Sequence, residues 1–382
     1  MKKIFILNSD FGEQIGARAS HITKNITKSE SIIFARSFKK NLQYKYNIKS
    51  IFPFAKLCMQ GLTAIPIYIY KKFPANEIKN KLFEYFLLRK LNKTNFKEIE
   101  LIHSWNFLPE TYKYIKTSNS KIKIIQDVPI ALPNILNKIK EFNILFKGES
   151  TKTLNFIKNS FKYVDLFIVP SQFVKDSLLL EKIPENKIKI IPFGVDSNKF
   201  KPQKNKSKNF QVAFSGNVNN RKGIKYLIEA WKQLKDKKQL SQSAKLNLYG
   251  RVYPETKIYL KNSSKYNIFP HGHIDLIKEL PKNSIYVFPS LMEGSAKSVY
   301  EAMACGLPII TTYNAGSVIQ NDKEGVIIPI QDVNSIKEKI LFFYNNRNEI
   351  EKFGKQARKT AEKYTWERYA KTINNIYKEV LK

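Results

Sequence analysis

The stretch that most constrains the fold of this chain is residues 284–312, where two strand patterns enclose a helix pattern. The apolar runs at 284–288 and 309–312 are typical of strands that are buried on both faces of a parallel sheet. Between them, apolar side chains recur at helical spacing until Gly306, which suits a helix C-terminus, and Pro308 prevents continuation. A strand, a helix and a second strand in this order predict a parallel α/β fold.

Two glutamates in this stretch are separated by a turn and the start of the helix, with Glu293 in the loop and Glu301 about two turns into the helix. We expect Ser295 to cap the helix, and the amides of Ser295, Ala296 and Lys297 to face a ligand. A phosphate suits these amides, and carboxylates accept hydrogen bonds from sugar hydroxyls, which together describe a nucleotide-sugar. The alternative is that Glu293 only favours the helix dipole and that Glu301 is solvated.

The whole string resembles the donor-site signature of the retaining glycosyltransferases of family 4. Their pattern is Glu-Gly, a short variable run, a second Glu followed by Ala-Met-Ala, and then Gly-Leu-Pro. The residues that match it here are Glu293, Gly294, Glu301, Ala302, Met303, Ala304, Gly306, Leu307 and Pro308. The family's usual Phe-Gly after the first Glu-Gly is absent, and Ser295, Ala296 and Lys297 stand in its place.

This resemblance implies an α/β fold of the GT-B type, with two doubly wound Rossmann-like domains facing an interdomain cleft. It implies an acceptor-side domain at 1–200, a nucleotide-sugar-binding domain at 201–365, and a helix at 366–382 that crosses back to the first domain. The implied reaction moves a sugar, with retention, from a UDP- or GDP-linked donor to an acceptor hydroxyl, without a cofactor or a metal ion. Glu293 would orient the donor sugar, and Glu301 would hold the ribose hydroxyls.

A second strand–loop–helix pattern begins at 211–215 and continues into the loop GNVNNRKG. Gly216, Arg221 and Lys222 lie in this loop at the amino end of a helix pattern, where a cation would neutralise a diphosphate. Most members of family 4 have an Arg directly after the first Gly, and this chain has Asn217. A solvated surface lysine is the alternative for Lys222, but its place in the motif favours donor binding and catalysis.

Several other strand patterns end in candidate site residues, because ligands gather beyond the carboxyl ends of strands in open α/β sheets. Arg251 follows one strand, and Gly272 and His273 follow another, where the resemblance places the nucleotide base. His103 and Asp127 end two earlier strands and are candidate catalytic residues, although a structural role is the alternative for a lone His. Besides the two strands named first, the patterns lie at 4–7, 100–105, 121–128, 166–169, 188–191, 211–215, 246–249 and 267–272.

The first strand pattern leads into a loop that Gly12 and Gly16 flank, followed by a helix pattern near Ala17. The spacing is not G-x-G-x-x-G, so a phosphate site is only weakly indicated. The resemblance places this loop at the catalytic face, where it helps to hold the acceptor or the donor phosphate. Many family members also have a His near the position of Gln126, and this chain does not.

The net charge of +34 comes from 66 basic and 32 acidic residues among 382, and the excess is spread evenly along the chain. An anionic partner, either nucleic acid or a membrane surface, is one interpretation. A compositional bias toward Lys, Asn and Ile is the other.

Residues 31–76 contain eight basic residues and no acidic one. Aromatic and basic side chains alternate there, as in segments that enter a lipid headgroup layer. A nucleic-acid strand could also bind by stacking and charge, and a helix with lysines over core aromatics is the structural alternative. The basic residues are Arg36, Lys39, Lys40, Lys45, Lys49, Lys56, Lys71 and Lys72, and the aromatic ones include Phe34, Phe38, Tyr44, Tyr46, Phe52, Phe54, Tyr68 and Tyr70.

Cysteine content and hydropathy indicate the compartment. Cys58 and Cys305 are the only cysteines, which excludes a disulfide framework and a cysteine-rich zinc site. The first residues, MKKIFILNSDFG, have too short an apolar run for a signal peptide, and no run approaches the roughly 20 residues of a spanning helix. We therefore expect a cytoplasmic protein, or one that is peripheral on the inner face of the cell membrane.

A sugar transferase in surface glycan or glycolipid assembly is the function that these patterns favour. A glycan or a lipid-linked acceptor is then the expected partner besides the nucleotide-sugar. Two alternatives stay open: a nucleotide-sugar epimerase or hydrolase of the same fold, and a basic nucleic-acid-binding protein whose only support is the charge.

Overall fold

The structure, a computed structural model, describes residues 2–10, 15–24, 26–27, 29–38, 42, 44–51, 75–138, 153–203 and 207–382. The chain divides into two units. The first comprises Met1–Val169, Val174–Ile191 and Ala370–Lys382, and the second comprises Pro170–Phe173 and Pro192–Tyr369.

The first unit is built around a parallel sheet of seven strands in the order β3-β2-β1-β4-β5-β6-β7. Its central strand, β1, is buried on both faces, and the side chains of Ile4, Phe5, Ile6 and Leu7 are inaccessible to solvent. The chain reverses direction across the sheet between β1 and β4, which is the switch point of a doubly wound fold. The strands are β1 (Lys2–Asp10), β2 (Ser31–Ser37), β3 (Ile48–Ser50), β4 (Ile99–Ser104), β5 (Lys123–Asp127), β6 (Leu166–Val169) and β7 (Ile188–Ile190).

The second unit repeats this plan with a parallel sheet of six strands in the order β10-β9-β8-β11-β12-β13. Its switch point lies between β8 and β11, so ligands are expected beyond the carboxyl ends of these two strands. Val212, Phe214 and Tyr286 fill the core beneath that edge. The strands are β8 (Gln211–Ser215), β9 (Lys245–Tyr249), β10 (Ile268–Gly272), β11 (Ile285–Phe288), β12 (Ile309–Thr312) and β13 (Gly325–Ile328).

Helices connect the strands of both units and cover their sheets. The last helix has an amphipathic pattern, and its buried face includes Ile373, Ile376 and Tyr377. The helices are α1 (Ile15–Thr23), α2 (Ala75–Leu91), α3 (Pro109–Ser118), α4 (residues 153–161), α5 (Gln172–Leu179), α6 (Ile224–Asp236), α7 (Leu276–Glu279), α8 (Lys297–Ala304), α9 (Val333–Asn345), α10 (Arg347–Ala361) and α11 (Trp366–Val380).

Every strand predicted from the sequence is present, with bounds that differ by at most a few residues. The predicted end of α8 is also confirmed. Gly306 has a left-handed φ of +69°, its amide donates to the carbonyl of Met303, and the amide of Leu307 donates to the carbonyl of Ala302. These two bonds satisfy carbonyls that a helix end leaves unpaired, and the left-handed conformation is one that glycine adopts without strain.

The segment 31–76 contains two strands that the sequence analysis did not predict, β2 and β3. In β2 the four residues Ile32–Ala35 are buried, so Phe34 is a core side chain and cannot insert into a membrane. Tyr46 is also buried, whereas Tyr44 is 87% exposed. The helix alternative for this segment is therefore wrong where the structure describes it. Lys39, Lys40, Phe52, Phe54, Lys56, Tyr68, Tyr70, Lys71 and Lys72 lie outside the described residues.

Most of the glycine loop after β1, including Gly12, lies outside the described residues. Gly16 does not flank a loop as predicted, because α1 already begins at Ile15. The structure therefore leaves the predicted role of this loop in acceptor or phosphate binding as a prediction.

Candidate active site

The loop after β8 presents two cations at the amino end of α6. Asn219 begins a single 3₁₀ turn, Asn220–Lys222, and its side chain accepts a hydrogen bond from the amide of Lys222 at 3.2 Å. Gly223 ends the turn with a φ of +69°, and α6 follows directly. This compact turn holds the side chains of Arg221 and Lys222 at the carboxyl edge of the sheet.

The loop after β11 is held beside this turn by backbone hydrogen bonds. The amide of Leu291 donates to the carbonyl of Arg221 at 2.9 Å, which joins the two loops directly. The amide of Glu293 donates to the carbonyl of Asn314 at 2.9 Å, which anchors the far end of this loop to the loop after β12. Both anchors are backbone groups, so the position of the Glu293 backbone does not depend on where its side chain points.

The Glu293 carboxylate receives several donors on one oxygen. Arg221 Nη1 lies 2.6 Å from Glu293 Oε1 and also donates to the carbonyl of Met292 at 2.6 Å. Lys222 Nζ forms an ion pair with the same oxygen, and Ser290 Oγ lies 3.3 Å from it. The sequence analysis assigned these charged residues to the site separately, and the fold brings their charges into contact.

The cluster of Arg221, Lys222 and Glu293 has one positive charge more than it has negative charge. The side chains of Lys222 and Glu293 are 13% and 12% exposed, so water screens this excess only in part. Burial lowers the pKa of Lys222, the Glu293 charge opposes that shift, and the neighbouring Arg221 reinforces it. Its Nζ also lies 5.0 Å above the ring of Phe288. A buried excess of positive charge suits an anionic ligand.

The second glutamate of the motif, Glu301, lies in the second turn of α8 and is 8% exposed. Burial raises its pKa, and the ion pair with Lys297, whose Nζ lies 3.3 Å from Oε1, opposes the shift. The solvated alternative for Glu301 is therefore wrong. A carboxylate that is buried beside a ligand site is a strong hydrogen-bond acceptor for a hydroxyl.

The prediction for the start of α8 needs correction in two respects. Ser295 is not the cap, because the helix begins at Lys297, its N-cap position is Ala296, and the Ser295 hydroxyl lies 2.9 Å from the hydroxyl of Tyr300. The amide of Ala296 does not face a ligand, because it donates to the carbonyl of Ala315 at 3.0 Å. Because α8 starts later than expected, Glu301 lies just over one turn into it rather than two. Lys297 remains in the first turn, where backbone amides lack intrahelical acceptors.

The backbone of Gly294, the glycine of the motif, is held in place through its carbonyl. That carbonyl accepts a hydrogen bond from Ser171 Oγ at 2.5 Å. A side chain at Gly316 would come within 2.2 Å of the same oxygen, and Gly316 has a φ of +63°. The backbone of the loop between the two glutamates is thus enclosed on two sides.

The loops after β8, β9 and β10 lie side by side and contain the other predicted donor-binding residues. The amide of Gly216 donates to the carbonyl of Tyr249 at 2.8 Å, and the amide of Gly250 donates to the carbonyl of Gly272 at 2.7 Å. Asn217 Nδ2 lies 3.4 Å from the Tyr253 hydroxyl. Arg251 is exposed and stacks its guanidinium on the ring of Tyr253 at 5.4 Å, and His273 is exposed in the turn that follows β10.

The candidate catalytic residues of the first unit are enclosed. His103 is inaccessible to solvent, stacks on Trp105 at 4.1 Å, and has its Nδ1 atom 2.6 Å from the hydroxyl of Tyr377. Burial lowers the pKa of His103, although Asp127 opposes this shift. Burial also acts to raise the pKa of Asp127, but Arg18, at 2.8 Å, and His103 together outweigh it and hold that pKa below its usual range.

His103 Nε2 and Asp127 Oδ2 lie 3.8 Å apart, which is too long for a hydrogen bond. Neither atom has a hydrogen-bond partner within the part of the chain that the structure describes. These contacts are those of a buried structural cluster, and a catalytic role for either residue stays a prediction.

Sequence reasoning did not identify the residues that hold the loop of Glu293 in position. Ser290 contacts Glu293, and Asn314 and Ala315 accept the amides of the motif loop. The only sequence signal for them is that Ser290 follows Pro289 at the end of β11 and that Asn314 and Ala315 follow β12, both at the same sheet edge.

A cavity of about 810 Å³ in the second unit lies apart from these residues. It shares none of the predicted donor-binding residues. We do not assign it a ligand. Its lining includes Pro202, Gly306, Arg347, Ile350, Gly354 and Arg358.

In the described ranges, no three His, Cys, Asp or Glu side chains come together as a metal site would require. None of the described helices combines the length and the apolar character that crossing a bilayer requires.

Comparison with known proteins identifies the class of the second unit. Residues 195–360 match the family model described as "Glycosyl transferases group 1". The capsular polysaccharide biosynthesis glycosyltransferase CapM of Staphylococcus aureus is 28% identical over 238 residues, which span 56% of this chain and 62% of CapM. An uncharacterized glycosyltransferase of Methanocaldococcus jannaschii is 26% identical over 285 residues, which span 74% of this chain and 76% of that protein.

Solved structures identify the fold. The crystal structure of Anabaena HepE in complex with UDP has a TM-score of 0.71 to this chain and covers 99% of it and 100% of HepE, at 13% identity. An identity this low establishes the fold alone. Together with the two parallel sheets, it confirms the predicted GT-B fold. The second unit is therefore similar to the group 1 glycosyltransferases over residues 195–360, whereas an assignment to family 4 stays a prediction.

Proposed function

We propose that this chain, which is similar to the group 1 glycosyltransferases over residues 195–360, is a retaining glycosyltransferase of family 4 that acts in surface glycan or glycolipid assembly. The observation that carries the proposal is the contact of Arg221 and Lys222 with Glu293 at the switch point of the second sheet. A cationic cluster at that position suits the diphosphate of a nucleotide-sugar.

The donor is a nucleoside diphosphate sugar, with uridine as the first nucleotide to test. HepE, which shares the fold, has been crystallised with UDP, and GDP is the second nucleotide to test. Glu301 would accept hydrogen bonds from the ribose hydroxyls, because its buried carboxylate has lost most of its water and gains from hydroxyl donors. Arg251, Gly272 and His273 would lie toward the nucleotide base.

The chemical task is to stabilise negative charge on the departing diphosphate while the sugar gains oxocarbenium character. Arg221 and Lys222 would supply that stabilisation, and their partial burial strengthens it. The first-turn amides of α8, including that of Lys297, would add donors from the helix end. Glu293 would contact the hydroxyls of the sugar itself.

The direct test is to incubate the purified protein with a panel of UDP- and GDP-sugars and acceptor glycolipids, and to determine the anomeric configuration of the product. An α-linked donor should give an α-linked product. Donor turnover that does not depend on an acceptor would instead indicate an epimerase or a hydrolase. Salt-sensitive binding to arbitrary DNA without any nucleotide-sugar binding would indicate a nucleic-acid-binding protein.

We also propose that the acceptor is anchored at the cytoplasmic face of the membrane, where Lys45 and Lys49 help to hold the protein. Both lysines are exposed, and each cation near an anionic surface contributes about 1 kcal/mol. CapM, to which the chain is similar, is named for capsular polysaccharide biosynthesis, which suits a membrane-linked intermediate.

Co-sedimentation with anionic and neutral vesicles tests this location. The wild type should sediment with anionic vesicles in low salt, and a variant with Lys39, Lys40, Lys45 and Lys49 changed to Gln should sediment less. Equal behaviour of the two proteins with both lipids would favour a soluble acceptor.

A further inference from the structure

The Glu293 carboxylate occupies the donors that a diphosphate would need. Arg221 Nη1, Lys222 Nζ and Ser290 Oγ all contact its Oε1 atom. The three charged side chains are 12–33% exposed, so the pairing takes place largely out of bulk water. A second anion cannot join the same donors without strong repulsion from the carboxylate.

The backbone around this carboxylate is fixed, whereas the side chain is held by its two ion pairs and the contact with the Ser290 hydroxyl. The amides of Leu291 and Glu293 are bonded to the carbonyls of Arg221 and Asn314. Rotation of the Glu293 side chain would therefore leave the loop in place. The cost of that rotation is the loss of the ion pairs, which an arriving diphosphate would replace.

We propose that Glu293 is an exchangeable counter-ion, which neutralises Arg221 and Lys222 until the donor diphosphate replaces it and frees its carboxylate for the hydroxyls of the transferred sugar. This inference rests on the proposed function, because it identifies the event that brings Glu293 to the sugar. It makes sugar recognition conditional on diphosphate binding. It also means that the free enzyme binds a bare diphosphate less tightly than its two cations would allow.

Removing the charge of Glu293 should raise the affinity for a diphosphate, whereas removing a group that contacts the ligand lowers it. Glu293→Gln keeps the shape of the side chain and removes the competing charge, so its affinity for UDP and for inorganic pyrophosphate should rise about tenfold. Glu301→Gln, the matched change at the other glutamate of the motif, should lower UDP affinity and leave pyrophosphate affinity unchanged. Transfer by Glu293→Gln should fall even though its UDP affinity rises.

A double variant shows whether the gain comes from the ion pair. In a Lys222→Met background, Glu293→Gln should raise the affinity for UDP and pyrophosphate much less than it does in the wild type. Without Lys222 the Glu293 carboxylate neutralises only Arg221, so removing its charge frees less positive charge for the ligand. Glu293→Asp, which withdraws the carboxylate by one methylene, should give an intermediate gain and provides a second route if Glu293→Gln folds poorly. Isothermal titration with UDP and with pyrophosphate, alongside melting curves of each variant, measures all of these effects.

The outcomes separate this inference from the proposed function. If the wild type binds UDP but folded Glu293→Gln binds it equally or more weakly, the exchange is overturned and the transferase proposal stands. If the wild type binds neither UDP, GDP nor pyrophosphate, both are overturned. A tenfold gain that depends on Lys222 supports both.

Discussion

The backbone of Gly223 packs directly against the carbonyl of Pro289, so that a Cβ atom at Gly223 would lie 1.9 Å from that oxygen. This contact joins the turn that carries Arg221 and Lys222 to the end of β11, where the loop of Glu293 begins. The close approach therefore sets how near the two cations lie to the carboxylate.

Gly223→Ala should destabilise the second unit by ~3 kcal/mol or more, because the new Cβ would overlap backbone atoms and the φ of +69° is also unfavourable for alanine. Gly272→Ala is the matched control. Gly272 has a similar φ of +67°, but a Cβ there has no neighbour within 4 Å, so only the conformational strain of about 1 kcal/mol applies. Thermal melting should show a larger loss of stability for Gly223→Ala than for Gly272→Ala. Equal losses would show that the backbone at Pro289 shifts away from the new Cβ at little cost.

Lys222→Met should lower the turnover number by roughly 10²–10³, the usual effect of removing one group that stabilises charge in the transition state. Binding of the free nucleoside should hardly change, because Lys222 is expected to contact the diphosphate only. Lys237→Met, at the far end of the same helix, is the control and should transfer sugar normally. Full turnover of Lys222→Met under saturating donor would refute the charge-stabilising role.

Glu301→Ala should weaken donor binding and transfer roughly tenfold to hundredfold, since a hydrogen bond to a charged group contributes about 1.5–3 kcal/mol. The exposed Glu229 on α6 supplies a control carboxylate, and Glu229→Ala should bind donor as the wild type does. Donor affinity can be measured by calorimetry with the nucleotide-sugar that the panel identifies. A folded Glu301→Ala with wild-type affinity would remove Glu301 from the ribose site.

The first unit should become less stable as the pH rises from about 4.5 to about 7, because of the buried carboxyl group of Glu84. Burial raises the pKa of Glu84 to about 7, although its hydrogen bond from the amide of Thr111, at 3.0 Å, opposes the shift. Below pH 4.5 the carboxyl is protonated in both the folded and unfolded chain. Between the two values only the unfolded chain releases its proton readily, so the free energy of unfolding falls, by on the order of 1–3 kcal/mol.

The change Glu84→Gln isolates this effect. It keeps an oxygen acceptor for the Thr111 amide at the start of α3 but cannot ionise. The difference in melting temperature between the variant and the wild type should therefore grow from pH 4.5 to pH 7 and then remain constant. Parallel melting curves for the two proteins across that range would contradict the shifted pKa.

Treatment with a chelator should leave sugar transfer intact. Arg221 and Lys222 provide two positive charges at the expected diphosphate position, which is the role that a divalent cation has in many other nucleotide sites. The measurement is the initial rate with and without excess EDTA, at saturating donor. Activity that disappears in EDTA and returns with magnesium or manganese would contradict the prediction.

Much of the architecture was predictable because the responsible interactions are local in the sequence. Buried parallel strands leave continuous apolar runs, and α8 ends where Gly306 can adopt a left-handed conformation and Pro308 follows. The loops after β8 and β11 could be assigned to one site because the motifs in both resemble those of the family 4 donor site. Strands β2 and β3 were missed, because the charged and aromatic residues around them obscured a short apolar run, and no strand was predicted at β13 either.

Tertiary structure decided which partner each polar group has. Glu293 contacts Arg221 across 72 positions of sequence, and the amide of Ala296 is bonded to Ala315 rather than facing a ligand. His103 is enclosed by Tyr377, which lies 274 positions away in the last helix. Local patterns record which residues are buried and where helices begin and end. They do not record which distant charges or carbonyls meet, because those pairings exist only once the strands have taken their order in the sheet.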